Sequence, residues 1–406
     1  MEPNLSPTTP AAADLSIPAD TTRLGALGTV ALMLAHCAGM VDLVALPVWV
    51  GTLIGAYRLD PQKAGLLATL FLAGAVLSSV FFSPRLNRLP ARAMSTVGFG
   101  MAACAFLGIA SVSADRYPTM AAVHAAAGVA VGCGLSFTHG TVGRSRNPHR
   151  LFAVAGLALG IFAIAFLGIV PGLIAAHGGP MLFRVFASVM GVATIACALA
   201  FPSIQARRST AAGVERRFEH AVWFGMAGVG CMALTQSMLF SFVQRIGLDR
   251  GFGLSAVIAT LIALGFVNLF PAPVAGLLET RVPGRKVVQA GPVVQAGPVV
   301  QAALALVITQ SAAFAPYAAA TSVFAAVMIF THTFAFGMLA RIDRTGRAVA
   351  ATPAMLMTGA AIGPLLGGTL VKQFGYGSLG FAAVLIAAAA AICFSRLDRP
   401  SPSQGV

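Results

Sequence analysis

Twelve long apolar runs divide the sequence, and they constrain the fold more than any motif does. They fall at 25–54, 64–82, 94–113, 119–142, 151–176, 181–202, 220–243, 254–278, 287–310, 314–339, 348–372 and 378–395. A transmembrane helix needs about 20 mostly apolar residues. In lipid, only helices and closed barrels satisfy every backbone N–H and C=O group. The runs are continuous and lack the polar alternation of a barrel strand, so they predict twelve transmembrane helices. Composition agrees, since 58% of the 406 residues are hydrophobic and 9% are charged. Soluble proteins carry about 25% charged residues. A secreted domain, a cytosolic enzyme and a disordered chain are excluded.

The net charge of +14 would suggest nucleic acid in a soluble protein. In a membrane protein, Lys and Arg collect in cytoplasmic loops instead. With the N-terminus inside, 19 of the 26 basic residues fall on the cytoplasmic side and seven on the other. The surplus is therefore an orientation signal. It predicts both termini in the cytoplasm, an inner (plasma) membrane location and no nucleic-acid partner. The six cysteines all fall in apolar runs and read as small buried hydrophobes, with neither disulfide nor metal spacing.

The chain divides into a disordered cytoplasmic tail (1–22), a six-helix bundle (23–202), a basic cytoplasmic linker (203–219), a second six-helix bundle (220–396) and a short tail (397–406). The tail at 1–22 has no signal-peptide pattern. The halves echo each other. Asn87-Arg88-Leu89-Pro90-Ala91-Arg92 matches Thr280-Arg281-Val282-Pro283-Gly284-Arg285 at an offset of 193, and Arg150 matches Arg347 at 197. At that second offset His177-Gly178-Gly179 lies over Phe374-Gly375-Tyr376. The pattern predicts an all-α membrane protein built as two pseudo-symmetric six-helix bundles. The stretch 287–302 repeats Val-Val-Gln-Ala-Gly-Pro. Pro292 and Pro298 there each remove a helical hydrogen bond. They mark either a tolerated expansion or a hinge in helix 9.

On these features the chain, from about 24 to 396, resembles the major facilitator superfamily of secondary transporters. The family's loop signature, Gly-x-Leu-x-Asp-Arg-x-Gly-Arg-Lys, is similar to the stretch from Gly276 through Arg281 and Arg285 to Lys286. Its other copy runs from Ser83 to Arg92, where Ser83 replaces the Gly and Asn87 the Asp. The resemblance implies that Asn87, Arg88, Arg92, Gly276, Arg281 and Arg285 form cytoplasmic gate loops. Gly359, Gly363, Pro364, Gly367 and Gly368 resemble the family's antiporter motif. In exporters it sits in helix 5, whereas here it is in helix 11. Small residues at this spacing let helices approach closely. His124-Ala125-Ala126-Ala127-Gly128 stands where the family often has Arg-x-x-x-Gly. A histidine titrates where an arginine cannot, so His124 reads as a proton-coupling candidate or as a solvated interfacial histidine.

Of the 12 acidic residues, Asp42 alone falls well inside a span. An acid at mid-membrane costs about 2.5–3.5 kcal/mol to insert and usually marks function. Asp42 is a proton or substrate group, or else a structural hydrogen bond to a neighbouring helix. His36, His139, His332, Gln236 and Asn268 are substrate-pathway candidates. His139 and His332 sit in matching Phe-Thr-His triplets at an offset of 193, as a facing pair or as unrelated residues. His36 precedes Asp42 by about 600° of helix rotation, so the two share no face.

No phosphate-cradling loop, zinc-hydrolase motif or carboxylate cluster is present. The reading is a transporter rather than an enzyme, with no cofactor and no metal. It acts as a monomer in the lipid bilayer. By alternating access it moves a small organic solute, such as a monocarboxylate or an amphipathic compound, coupled to protons. The alternative is a non-transporting sensor or assembly protein on the same scaffold.

Overall fold

A computed structural model describes residues 25–202, 219–280, 290–343, 348 and 352–397. The tail at 1–22, all of the linker at 203–219 except Glu219, Arg281 and Arg285 lie outside the described residues.

Twelve helical spans follow in the predicted order. They are α1 (Ala26–Gly39 continued by Val41–Gly55), α2 (Pro61–Phe82), α3 (Ala91–Ser111), α4 (Tyr117–Gly143), α5 (Pro148–His177) and α6 (Pro180–Ala200). The second half holds α7 (His220–Phe240 continued by Val243–Asp249), α8 (Leu254–Val267 continued by Pro271–Thr280), α9 (Ala290–Gln310), α10 (Phe314–Ile342), α11 (Thr352–Phe374) and α12 (Gly377–Leu397). No strand occurs among the described residues. The structure is that of an all-α, multi-pass membrane protein.

The expected continuous helices are interrupted at three places. Met40, at φ −111° and ψ 21°, leaves helical geometry and splits α1. In α7 the helix gives way to a turn at Ser241 and Phe242, whose backbone angles stay in the helical region. In α8 the break precedes Pro271, where the proline disfavours helical geometry for the residue before it. Because α7 resumes after its break, it ends at Asp249 rather than at the expected 243. By contrast, α9 runs as one helix through Pro298, and Pro292 falls in its first turn, where, against expectation, no helical hydrogen bond is lost. The matched turns at 178 and 375 do share geometry. Gly178 has φ 82° and Gly375 φ 74°, a region glycine enters without steric cost.

One face of the bundle carries the short turns after α1, α3, α5, α7, α9 and α11, and is called the turn face. The opposite, terminal face carries Gly25 and Leu397, the first and last described residues. At the turn face the halves join. α2 packs antiparallel on α11, α5 on α8, and the second pieces of α1 and α7 lie side by side. The buried apolar residues divide accordingly. One continuous cluster takes in the N-terminal half and the turn-face ends of the C-terminal helices, from Met238 to Phe242 and on to Ala387. A separate cluster, with Val229, Met328 and Phe394, fills the terminal-face end of the C-terminal half. The halves thus share a core at one face and keep separate cores at the other.

The glycine motif of α11 explains part of this joint. Gly359, Gly363 and Gly367 recur every four residues and meet α7 at Leu234, Met238 and Phe242. Pro364 and Gly368, also four apart, meet α2 at Gly65 and Pro61. One stripe therefore fastens α11 within its own half, and the other presses it onto the opposite half. A Cβ on Gly363 would stand 2.6 Å from the Met238 nitrogen. Gly363→Leu is expected to lower stability by about 1–3 kcal/mol through overpacking. Thermal unfolding of the detergent-purified variant checks this, and an unchanged Tm contradicts it.

Candidate functional site

The break at Met40 generates the central feature of the N-terminal half. A helix that restarts leaves its first N–H groups without helical partners. Asp42 stands in the first turn of the new piece. Its charge suits the positive end of the helix dipole. Asp42 is 6% exposed and is the one buried acid among the described residues. No ion pair to Asp42 occurs among them.

α1 and α4 meet through residues on either side of Asp42 in sequence. Three contacts fix their antiparallel register. His36 meets His139, with Nδ1 and Nε2 2.9 Å apart. Gly39 lies against Leu135. Trp49 stacks on His124 at 5.7 Å between ring centroids. Asp42 falls between these contacts in sequence, and Trp49 follows it by one heptad, about 700° of rotation, on the same face.

His124 is 0% exposed, which corrects the reading of it as a solvated interfacial residue. It sits among aromatic rings, with Phe183 edge-on at 5.6 Å and Trp49 stacked. Its Nδ1 bonds the Met120 carbonyl at 2.7 Å. Its Nε2 and the Trp49 Nε1 are buried without partners. Phe71, Phe106 and Phe186 complete the cluster around Trp49.

His139 pairs with His36 and not, as its matched triplet suggested, with His332. His332 Nδ1 instead bonds Met328 of its own helix at 2.8 Å. Gln236 accepts from Gln301 of α9 at 3.2 Å, a helix-to-helix bond inside the C-terminal half. Asn268 stands at the break in α8 with its buried Oδ1 unpartnered. Gln244 escaped sequence reasoning because it falls one residue past the expected end of helix 7. It is buried, its Oε1 has no partner, and it meets Gly51 of α1 where the halves touch. A crevice of about 520 Å³ between α8, α9 and α10 is lined by apolar groups such as Phe270, Val300 and Val327. Its Thr331 hydroxyl is occupied by Val327 of the same helix. None of the polar candidates lines it.

The turn-face seal carries polar bonds across the halves. Lys372 of α11 lies 3.5 Å from Asp60 and 3.2 Å from Gln62. The Leu365 N–H donates to Thr69 at 3.1 Å. Next to it, burial pushes the Tyr57 phenol up to about 12, against the opposing pull of Arg184, so Tyr57 stays protonated. At the terminal face the first gate loop bonds only within its own half among the described residues. Arg144 donates to Asn87 at 2.9 Å, and Arg92 to the Ala198 carbonyl. Arg88 is exposed there, and Gly276 lies in α8. Of the cysteines, Cys104 is exposed, contrary to expectation, while Cys37, Cys133 and Cys197 are buried.

Residues 31–340 match the family description "Major Facilitator Superfamily". The chain belongs to the major facilitator superfamily. It is a multi-pass membrane transporter by family and fold. Its structure is similar to that of the nucleoside transporter NupG, with a TM-score of 0.69, 13% identity, and 92% of this chain and 99% of that chain covered. A variant form of NupG gives a TM-score of 0.72 at 12% identity, covering 92% and 100%. A bacterial homologue of the human lysosomal transporter Spinster, described as inward-facing and occupied, gives 0.67 at 13%, covering 91% and 93%. At such identities the likeness is one of fold. No individual curated protein matches the sequence.

Trp49 is fully buried and anchors the aromatic cluster beside the seal. Trp49→Ala is expected to cost about 3–5 kcal/mol through the cavity it leaves. The check is a thermal-unfolding comparison with wild type; a shift within error of zero would contradict the anchoring role.

Proposed function

We propose that this protein is a proton-coupled secondary active transporter, moving a small organic solute across the inner (plasma) membrane by alternating access. The 19-to-7 distribution of basic residues supports placing the terminal face in the cytoplasm. The sealed turn face is then outward. The protein works as a monomer.

The observation that carries the coupling is Asp42. It is buried inside a membrane-spanning helix and has no cation partner among the described residues. A carboxyl that only capped a helix break would be served as well by Asn or Ser. Asp adds the capacity to take up and release a proton. The scarcity of other buried charge favours a solute of low charge.

The test uses purified protein in proteoliposomes, with a solute found by thermal-shift screening. A pH gradient of one unit drives at most about tenfold accumulation per proton. Asp42→Asn is expected to reduce accumulation to the equilibrium level while solute exchange across the membrane persists. Undiminished accumulation in the variant contradicts proton coupling at Asp42. Wild-type protein that binds the solute and never moves it would favour a sensor instead.

The seal gives a second expectation. Gly368 lies directly under Pro61, so Gly368→Leu should hold α2 and α11 apart. Cysteines placed at Gln62 and Lys372 should crosslink readily in the wild-type background and at least several-fold more slowly with Gly368→Leu. Equal crosslinking in the two backgrounds would contradict closure through this contact.

A further inference from the structure

Asp42 is not the one titratable group inside the N-terminal half, since α1 and α4 bring two histidines together. His36 and His139 face each other there, with Nδ1 and Nε2 2.9 Å apart and ring centroids 5.1 Å apart. His36 is buried and His139 half-buried. Phe152 of α5 lies edge-on over His139 at 5.5 Å. At this separation one of the two facing nitrogens carries hydrogen and the other must accept it. Two protonated nitrogens cannot face each other so closely.

That geometry limits what the pair can hold. When both rings are neutral, one N–H bridges them and one outward nitrogen has a free lone pair. A proton added to that outward nitrogen leaves the bridge intact, and the ring that bears the charge is the donor. A second added proton would have to enter the bridge itself, and the rings would part. We propose that His36 and His139 together form a proton-binding site that takes up one proton, held between α1 and α4 and separate from Asp42.

The surroundings leave the two rings as each other's polar partners. On α1 the neighbouring titratable groups are Cys37 and Asp42, and Asp42 lies about 9 Å farther along the helix axis. On α4 they are Cys133 and Arg144, and Arg144 is bonded to Leu86 and Asn87. Arg85 of α2 bonds Phe81, and Arg92 of α3 bonds Ala198. Arg150 of α5 is exposed, and Cys197 of α6 is buried. No carboxylate touches either ring among the described residues. A bond between two imidazoles, shielded from water, is stronger than the same bond in solvent. It therefore ties the two helices as well as holding the proton.

The proposal goes beyond the Asp42 reading and does not depend on it. Its test is nitrogen NMR on full-length protein labelled at histidine, in lipid nanodiscs. The seven histidines are assigned with His36→Gln and His139→Gln, and His36→Asn serves if a glutamine variant folds poorly. Two ring nitrogens coupled through the hydrogen bond are expected. Between about pH 4 and pH 9, both rings should shift together in a single step of one proton. Either substitution should abolish the coupling and leave the remaining ring to titrate alone. Absence of the coupling, or independent titration of the two rings, overturns the proposal. Asp42→Asn should leave coupling and joint step in place, even where it abolishes solute accumulation. Loss of the coupling in Asp42→Asn would overturn the separateness of the site.

Discussion

Close approach of helix backbones holds this structure together. In lipid, helices gain little from burying apolar side chains against one another, because the solvent is apolar too. Association rests on van der Waals packing, and backbones approach closely only where side chains are missing. The two stripes of α11 meet that need in two directions. Gly359, Gly363 and Gly367 fasten α11 to α7, while Pro364 and Gly368 press it against α2. The first contact lies within a half and the second between halves. A motif that resembles an antiporter signature thus serves, in geometry, as one joint within a half and one between the halves.

The same physics separates what was legible in the sequence from what was not. The twelve spans were legible because each must cross a fixed thickness of lipid with no unpaired backbone. The matched glycines at 178 and 375 were legible because a tight turn needs positive φ. The breaks in α1 and α7 were not legible, since Met40 and Phe242 carry no helix-breaking chemistry of their own. Nor was the partner of His139. The triplet match pointed across the halves to His332, whereas α1–α4 packing brings in His36, and sequence spacing holds no information on such register.

The halves are alike in plan and different in chemistry. Both have a broken first helix, but the break in α1 bears Asp42 and that in α7 bears none of the acids. There Ser241 bonds back to Ser237, and Gln244 turns its side chain toward Gly51. His36, Asp42, His124 and His139 all belong to α1 and α4 of the N-terminal half. Gln236, Gln301 and Asn268 supply the C-terminal half with neutral amides. Such a division suits a transporter in which one half handles protons and the other offers hydrogen bonds to a neutral or weakly charged solute.

Proton movement driven by the solute tests the central claim most directly. Wild-type protein in proteoliposomes with a trapped pH-sensitive dye would be given a screened solute in the absence of any pH gradient. The account predicts that solute entry changes the internal pH in wild type and leaves it unchanged in Asp42→Asn while the solute still equilibrates. An equal pH change in both, or none in wild type as the solute crosses, would contradict it.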